Sequence, residues 1–180
     1  MLLVKAGQLQ QMGVLFERYH RPLHGFFYHL TGQAAASEDL VQTVFYRMLK
    51  YRHTFTGDGE FRTWMYHLAR HAAVDAAKKN KTATRHVELS AWQEMLGGGT
   101  PADAALHQAQ EVELLHQALG RLSAEHREVL VLSRYQELKY GQIAQVLDIT
   151  EGAVKVRVHR AIGQLRDIYL KLENGLRTRL

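Results

Sequence analysis

An all-α protein is predicted: two small helical domains joined by a flexible linker, the C-terminal one containing a helix-turn-helix. Three observations predict it. Helix formers such as Ala, Leu, Gln and Glu recur throughout, and prolines number only two, Pro22 and Pro101. Apolar residues return at helical spacing between successive turn signals. The strongest breaker of the chain, Gly97-Gly98-Gly99-Thr100-Pro101, separates two such periodic blocks. With 180 residues, 46% apolar and 23% charged, the chain can bury a core in one ordinary domain or two small ones.

A first helix is expected from Leu9 to about Leu30, with Leu15, Tyr19, Leu23 and Phe26/Phe27 on one face and Thr31-Gly32 as its end. Ser37 reads as the N-cap of a second helix, with Glu38 and Asp39 in its electropositive first turn. That helix carries the stripe Leu40, Val41, Val44, Phe45, Met48 and Leu49. Gly57-Asp58-Gly59 marks a turn within the break Thr54–Glu60. A third helix follows from Phe61 to about Lys79. Its expected buried face is Phe61, Trp64, Leu68, Ala72 and either Val74 or Ala76; its other face carries Arg62, His67, Arg70, His71, Lys78 and Lys79, with Lys81 just beyond. Trp64 reads better as a core anchor than as a stacking platform, and Asp75 as the partner of a neighbouring cation or as a local cap.

Periodicity fades from Thr82 to about Gln108, although Trp92, Met95 and Leu96 make this more than a polar spacer. A helix with Val112, Leu115 and Leu119 is expected from near Ala109. Ser123 then caps another, burying Val129, Leu130 and Leu132 and broken at Glu137-Leu138-Lys139.

The next segment has the form of a helix-turn-helix. Ile143, Ala144 and Leu147 share one face of a short helix, Asp148-Ile149-Thr150 is a turn with Ile149 inward, and Thr150 caps a last helix opened by Glu151. Val154, Val158, Ala161 and Leu165 fall within about 60° of arc at 100° per residue. Gly152, Val156, His159 and Gly163 lie opposite, with Lys155 and Arg160 on the shoulders and Arg157 nearer the protein. A helix entering the major groove needs this layout: base-edge readers outward, cations flanking them towards the phosphates.

The charge of +5 fits a polyanionic partner, and its distribution says more. Residues 1–81 hold eleven Lys/Arg against six Asp/Glu, residues 82–111 one against four, and residues 112–180 eleven against eight. Two basic blocks thus flank an acidic connector. The absence of cysteine excludes disulfides, thiolate catalysis and Cys-ligated zinc, and suits a reducing cytosol. No apolar run approaches the ~18–20 residues of a membrane span, and the apolar part of the N-terminus is too short for a secretory signal. A cytoplasmic protein with no membrane insertion is expected.

The strings Leu122–Leu130, Tyr140-Gly-Gln-Ile-Ala144 and Glu151-Gly-Ala-Val-Lys-Val-Arg-Val-His-Arg-Ala161 resemble region 4 of the extracytoplasmic-function sigma factors of the sigma-70 family. Independently, Ser37-Glu-Asp-Leu-Val-Gln-Thr-Val-Phe45 resembles their clamp-binding helix, and Phe61-Arg-Thr-Trp-Met-Tyr-His-Leu-Ala-Arg70 with Asp75 their promoter-melting helix. The two blocks stand in the family's order and spacing. No room is left for the inhibitory N-terminal region or the middle domain of primary sigma factors.

The resemblance implies a sigma factor: a promoter-specificity subunit of RNA polymerase, not an enzyme, with no cofactor. Residues 1–84 would be region 2, residues 85–110 a linker threading the RNA exit path, and residues 111–180 region 4. Asp39, Gln42 and Tyr46 would contact the polymerase clamp, unless the Asp39 carboxylate only complements its helix dipole. Arg62, His67, Arg70, His71, Lys78, Lys79 and Lys81 would meet the −10 element, with Phe55 and nearby Tyr51 stacking an extruded base. Thr150, Glu151, Gly152, Lys155, Val156, Arg157, His159 and Arg160 would read the −35 duplex, region 4 sitting on the polymerase flap. The implied partners are core polymerase, promoter DNA and an anti-sigma factor. Val156 stands where the family usually has a small polar residue, and its side chain suits a thymine methyl. His67 and His71 stand where Arg and Asn-like residues are common, and Lys78-Lys79 replace the usual arginines.

Other readings have less behind them. His20/His24 and His67/His71 have the i, i+4 spacing of paired metal ligands, but no HExxH and no carboxylate cluster completes a site. No P-loop, dinucleotide-binding glycine pattern or nucleophile elbow is present. A free-standing helix-turn-helix regulator would need a dimerisation helix that is not evident. A helical module sequestering a protein partner is the remaining alternative.

Overall fold

The structure, a computed structural model, describes residues 1–79 and 102–177, with side chains for residues 1–79 and 110–175. Lys81, the Gly97–Pro101 breaker and the expected apolar residues Trp92, Met95 and Leu96 lie outside the described residues. Among those described there are eight α-helices and no strand: α1 (Leu2–Lys5), α2 (Gln11–Thr31), α3 (Ala34–Lys50), α4 (Phe61–Lys79), α5 (Ala102–Arg121), α6 (Ala124–Leu130), α7 (Tyr140–Leu147) and α8 (Glu151–Arg177). A 3₁₀ turn at Arg52–Thr54 follows α3, and a π-turn at Val131–Tyr135 continues α6.

In the N-terminal domain α2, α3 and α4 pack side by side. α2 ends where Gly32 takes a left-handed conformation (φ 70°) and its N–H returns to Tyr28 O, as expected of Thr31-Gly32. Ser37 is not a cap. The helix starts three residues earlier because Ala34–Ala36 are themselves good helix formers, and the Ser37 hydroxyl donates backwards to Gln33 O at 2.6 Å inside the bundle. Glu38 and Asp39 therefore fall in the second turn, beyond the strongest dipole effect. α4 has the expected bounds, but its buried stripe is Thr63, Met65, Tyr66, Leu68, Ala69 and Ala72. Phe61 and Trp64 are half-buried and Val74 is exposed, because α4 is gripped from two sides and a second contact face replaces the single expected one.

The C-terminal domain is built from α5–α8. α5 begins inside the stretch expected to be connector. Ser123 caps α6 by accepting from His126 N–H, and Glu137 turns the chain with φ 51°. Leu138 is then driven back into the core, which explains a leucine in an otherwise polar break.

The two domains share one continuous apolar cluster. Its polar centre is Arg127, a buried arginine to which no role falls from the sequence. Its guanidinium donates to Leu119 O (2.8 Å), Gly120 O (2.6 Å) and Leu122 O (3.1 Å) at the end of α5, and to Leu30 O (2.8 Å) at the end of α2. Beside it, His29 of α2 packs on Tyr135 (ring centroids 3.7 Å) and on His116 of α5 (5.4 Å). Burial and the neighbouring His116 push the His29 pKa down to about 3; burial and the Arg127 charge push His116 down to about 4.

Arg127→Met leaves four carbonyls without their donor and should cost about 2–5 kcal/mol in urea unfolding, with Arg127→Lys intermediate. The two histidines set a pH dependence of known sign. Both are neutral when folded and regain a pKa near 6.5 when released, so the released state takes up protons below that pH and the folded state does not. Stability is full above about pH 6.5 and declines as pH falls towards 4; Glu128, whose carboxyl burial pushes up, acts oppositely just above 4.5. The thermal midpoint should therefore drop between pH 7 and 5, and the drop should shrink in His116→Gln.

Candidate nucleic-acid interface

The helix-turn-helix forms as its spacing requires. Asp148 adopts a left-handed conformation (φ 56°), which ends α7 and turns the chain, and Ile149 N–H returns to Ala144 O at 3.0 Å. The Thr150 hydroxyl accepts from Ala153 N–H at 3.2 Å, capping α8. Val154, Val158 and Ala161 are buried, together with Val146 of α7, which the sequence reading left out. On the opposite arc Thr150, Glu151, Gly152, Lys155, Val156, His159 and Arg160 are all exposed. Val156, a large apolar side chain on the outward face, stands half in solvent (50%). Lys155 pairs with Glu151 at 3.2 Å one turn back, an exposed bond that a phosphate can displace. Arg157 lies nearer the body and meets Glu125 at 3.5 Å.

The basic residues of α4 do not form one free face. His71, Lys78 and Lys79 are exposed. Arg62 donates to Gln136 O, and Arg70 meets Glu128 at 3.3 Å, both on the C-terminal domain. His67 packs edge-on against His71 (4.3 Å between centroids), and burial, then the charges of His71 and Arg70, hold its pKa below the usual range. A neutral His67 offers one donor and one acceptor rather than a cation. Asp75 pairs with Arg47 at 2.8 Å, as expected, and that hydrogen bond lowers its pKa.

Between α3 and α4 runs an open groove of about 860 Å³ lined by Arg47, Tyr51, Thr54, Trp64, His67, Arg70, His71 and Lys78 among others. Cations and aromatic faces in one cleft are the chemistry of an unpaired strand. Phe55 is not part of that surface. It is buried, edge-on to Phe61 and tilted against Trp64, because its apolar ring closes the end of the core. Tyr51 and Trp64 line the groove instead, and Trp64 Nε1 donates to Thr54 Oγ1 at 3.1 Å. On the outer side of α3, Asp39, Gln42 and Tyr46 are all exposed and share one helical face.

The contact between the domains was not legible in the sequence. Gln136, buried in the turn after α6, accepts from the Tyr66 hydroxyl through its Oε1 and donates through Nε2 to Pro22 O at 3.3 Å. Gln142 of α7 donates to Glu60. Burial raises the Tyr66 pKa well above the usual phenol range, so it stays a donor. Only a tertiary fold brings these residues together; no local spacing marks them. His20 and His24, by contrast, separate: His20 stacks on Phe16 and bonds to its carbonyl, while His24 stacks on Tyr28. No group of metal-ligating side chains occurs among the described residues.

Residues 15–83 match the family model for sigma-70 region 2, and residues 112–165 that for sigma-70 region 4. The chain is 31% identical over 161 residues to the RNA polymerase sigma factor CarQ of Myxococcus xanthus, covering 88% of this chain and 89% of that one. It is 32% identical over 165 residues to the extracytoplasmic-function sigma factor SigL of Mycobacterium tuberculosis, covering 89% and 90%. Among solved structures, that of CnrH in complex with the cytosolic domain of CnrY has a similar fold, with TM-score 0.70 at 22% identity over 93% of this chain and 92% of that one.

Gln136→Ala removes the side chain that joins the turn after α6 to Tyr66 of α4 and Pro22 of α2, and should loosen the inter-domain contact. The chain has no cysteine, so Glu17→Cys with Gln145→Cys, both exposed, accept a dye pair cleanly. Energy transfer should fall and its distribution broaden in Gln136→Ala; an unchanged distribution would mean that Gln136 does not hold the domains together.

Proposed function

The chain belongs to the extracytoplasmic-function sigma factors of the sigma-70 family, and we propose that it reads promoters with two surfaces, the outer face of α8 and the α3–α4 groove. As a member it is an RNA polymerase sigma factor directing promoter-specific transcription initiation, with core polymerase and promoter DNA as its partners. It acts as an initiation factor, and in our reading the catalysis is the polymerase's alone, in the cytoplasm. No helix among the described residues is long and apolar enough to cross a membrane.

In this reading residues 1–84 bind the polymerase clamp and open the −10 element, 85–110 connect, and 111–180 read the −35 element while seated on the flap. The exposure of Asp39, Gln42 and Tyr46 on one face of α3 supports the clamp contact. The observation that carries the −35 reading is the outward arc of α8, where Val156 is flanked by Lys155, His159 and Arg160 above a buried stripe. Val156 meets a thymine methyl, Lys155 and Arg160 the phosphates, and Thr150, Glu151 and Gly152 lie at the end that enters the groove. At −10, Lys78, Lys79 and Lys81 hold the backbone while Tyr51 and Trp64 stack an extruded base. Arg62 and Arg70 join them only after the domains part, because both are bound to the C-terminal domain in the closed arrangement. An anti-sigma protein that keeps the domains together would hold Arg62 and Arg70 away from the −10 element; a sigma factor of similar fold, RpoE of Bartonella quintana, is seen in complex with the anti-sigma factor NepR.

Run-off transcription with core polymerase tests the reading: promoter-specific transcripts should depend on the chain. Tight operator binding by the free chain without transcripts would make it a free-standing regulator instead, and neither outcome a protein-binding module. Lys155→Ala and Arg160→Ala should each weaken −35-dependent initiation, and unchanged promoter binding in both would undo the assignment of that face. Lys78→Ala should lower the slope of log affinity against log salt by about 1, and an unchanged slope removes Lys78 from the phosphate contacts.

A further inference from the structure

The N-terminal segment before residue 15 lies outside the region 2 match, yet it is packed against the loop that follows α3. Three contacts fasten it. Val4 is wholly buried. Lys5 Nζ donates to Phe55 O at 2.8 Å, at the point where the chain leaves the core for the exposed residues Thr56–Glu60. Leu2 lies over Gly57, so closely that a Cβ at that glycine would stand 3.0 Å from Leu2 Cδ2. Gly57 also has φ +89°, a conformation that side chains other than glycine's rarely take.

The loop is thus held at two points from outside and at one from inside, where Phe55 is wedged between Phe61 and Trp64. Thr56, whose hydroxyl accepts a long bond from Asp58 N–H (3.5 Å), lines the recess that continues the α3–α4 groove beside Trp64 and His67, and the exposed Asp58 carboxylate stands two residues on in the same loop. Where they stand relative to Trp64 depends on the Phe55 carbonyl and on Gly57, the two points the segment touches. A hydrogen-bond reader of a base edge must be placed to within a fraction of an ångström, and an unsupported glycine loop does not place it.

We propose that Leu2, Val4 and Lys5 form a brace that sets the conformation of the Thr54–Glu60 loop and, through it, the base preference at the −10 element. Lys5 is a positioning residue: it touches the loop backbone and no DNA. The inference rests on the reading of the α3–α4 groove as the −10 surface, and its test must separate the two.

The experiment uses the full chain with core polymerase on two template pools, one randomised across −10 and one across −35, with transcripts sequenced. Lys5→Met keeps the aliphatic stem and removes the bond. It should flatten the preference at the −10 base by roughly two- to tenfold, the worth of about one hydrogen bond. The −35 preference should stay as in the wild type, and Lys5→Arg should restore the −10 profile. Leu2→Ser, at an exposed position that does not threaten folding, should act in the same direction. A lower thermal midpoint with both profiles unchanged, or an equal loss of transcription at every −10 sequence, would overturn the brace. Thr56→Ala and Asp58→Ala decide the underlying reading. If they leave the −10 profile unaltered, the loop does not read the base and the brace falls with it. If they shift the profile while Lys5→Met and Leu2→Ser do not, only the brace is lost.

Discussion

A single guanidinium holds this molecule's corners together. Helices α2 and α5 both end with carbonyls that have no intrahelical donors. Arg127 reaches both ends at once, its fork donating to three carbonyls of the α5–α6 corner and to Leu30 O of α2. The two helix C-termini present partial negative charge to it. Much else follows from its position. It fixes the angle between α5 and α6, brings that corner onto α2, and places a permanent positive charge beside His116. With that charge nearby, neither His116 nor His29 can be protonated without strain on the contact.

The contact so formed takes up side chains of α4, Arg62 and Arg70 of the proposed −10 set among them. Arg62, Tyr66 and Arg70 lie along one side of α4, and each finds its partner on the C-terminal domain in Gln136 or Glu128. These are polar bonds that phosphate oxygens can replace with little loss, since a charge-assisted bond to phosphate is at least as strong as one to a carbonyl. Closing the domains therefore engages part of the proposed −10 surface while leaving the arc of α8 open. In the proposed reading the two readers are not equally available in the free chain.

How much of this was legible in the sequence depends on whether the signal is local. The bounds of α4, the cap at Ser123, the turn at Asp148 and the outward arc of α8 all follow from residue spacing, and the structure has them. Ser37 was misread because a serine before acidic residues signals a cap locally, but here its hydroxyl is spent inside the helix on Gln33 O. Phe55 was misread for a related reason: an aromatic in a glycine-rich loop is available for stacking only if nothing nearby needs its apolar surface, and Phe61 and Trp64 do. The buried face of α4 shifted because a helix held between two domains buries more than one stripe. Arg127, Gln136 and Tyr66 carry no local mark at all, since their partners stand in distant parts of the chain.

A sigma factor closed in this way gains specificity from the arithmetic of coupled equilibria. A surface that is competent only in the open arrangement has its apparent affinity reduced by the fraction of molecules that are open. In the proposed reading, free chains would bind promoters weakly even if each reader is sound. A partner that binds the two domains at fixed separation selects the open arrangement and restores that factor in full. The polar character of the inter-domain contact makes this workable. In the proposed reading, opening frees Arg62 and Arg70 for phosphate, so much of the lost interaction would be regained on the DNA, whereas a wholly apolar contact would return nothing. The continuous core still resists, through Arg127 and the histidine cluster beside it. The balance between those terms, rather than the strength of either DNA contact, sets how strictly the chain depends on polymerase.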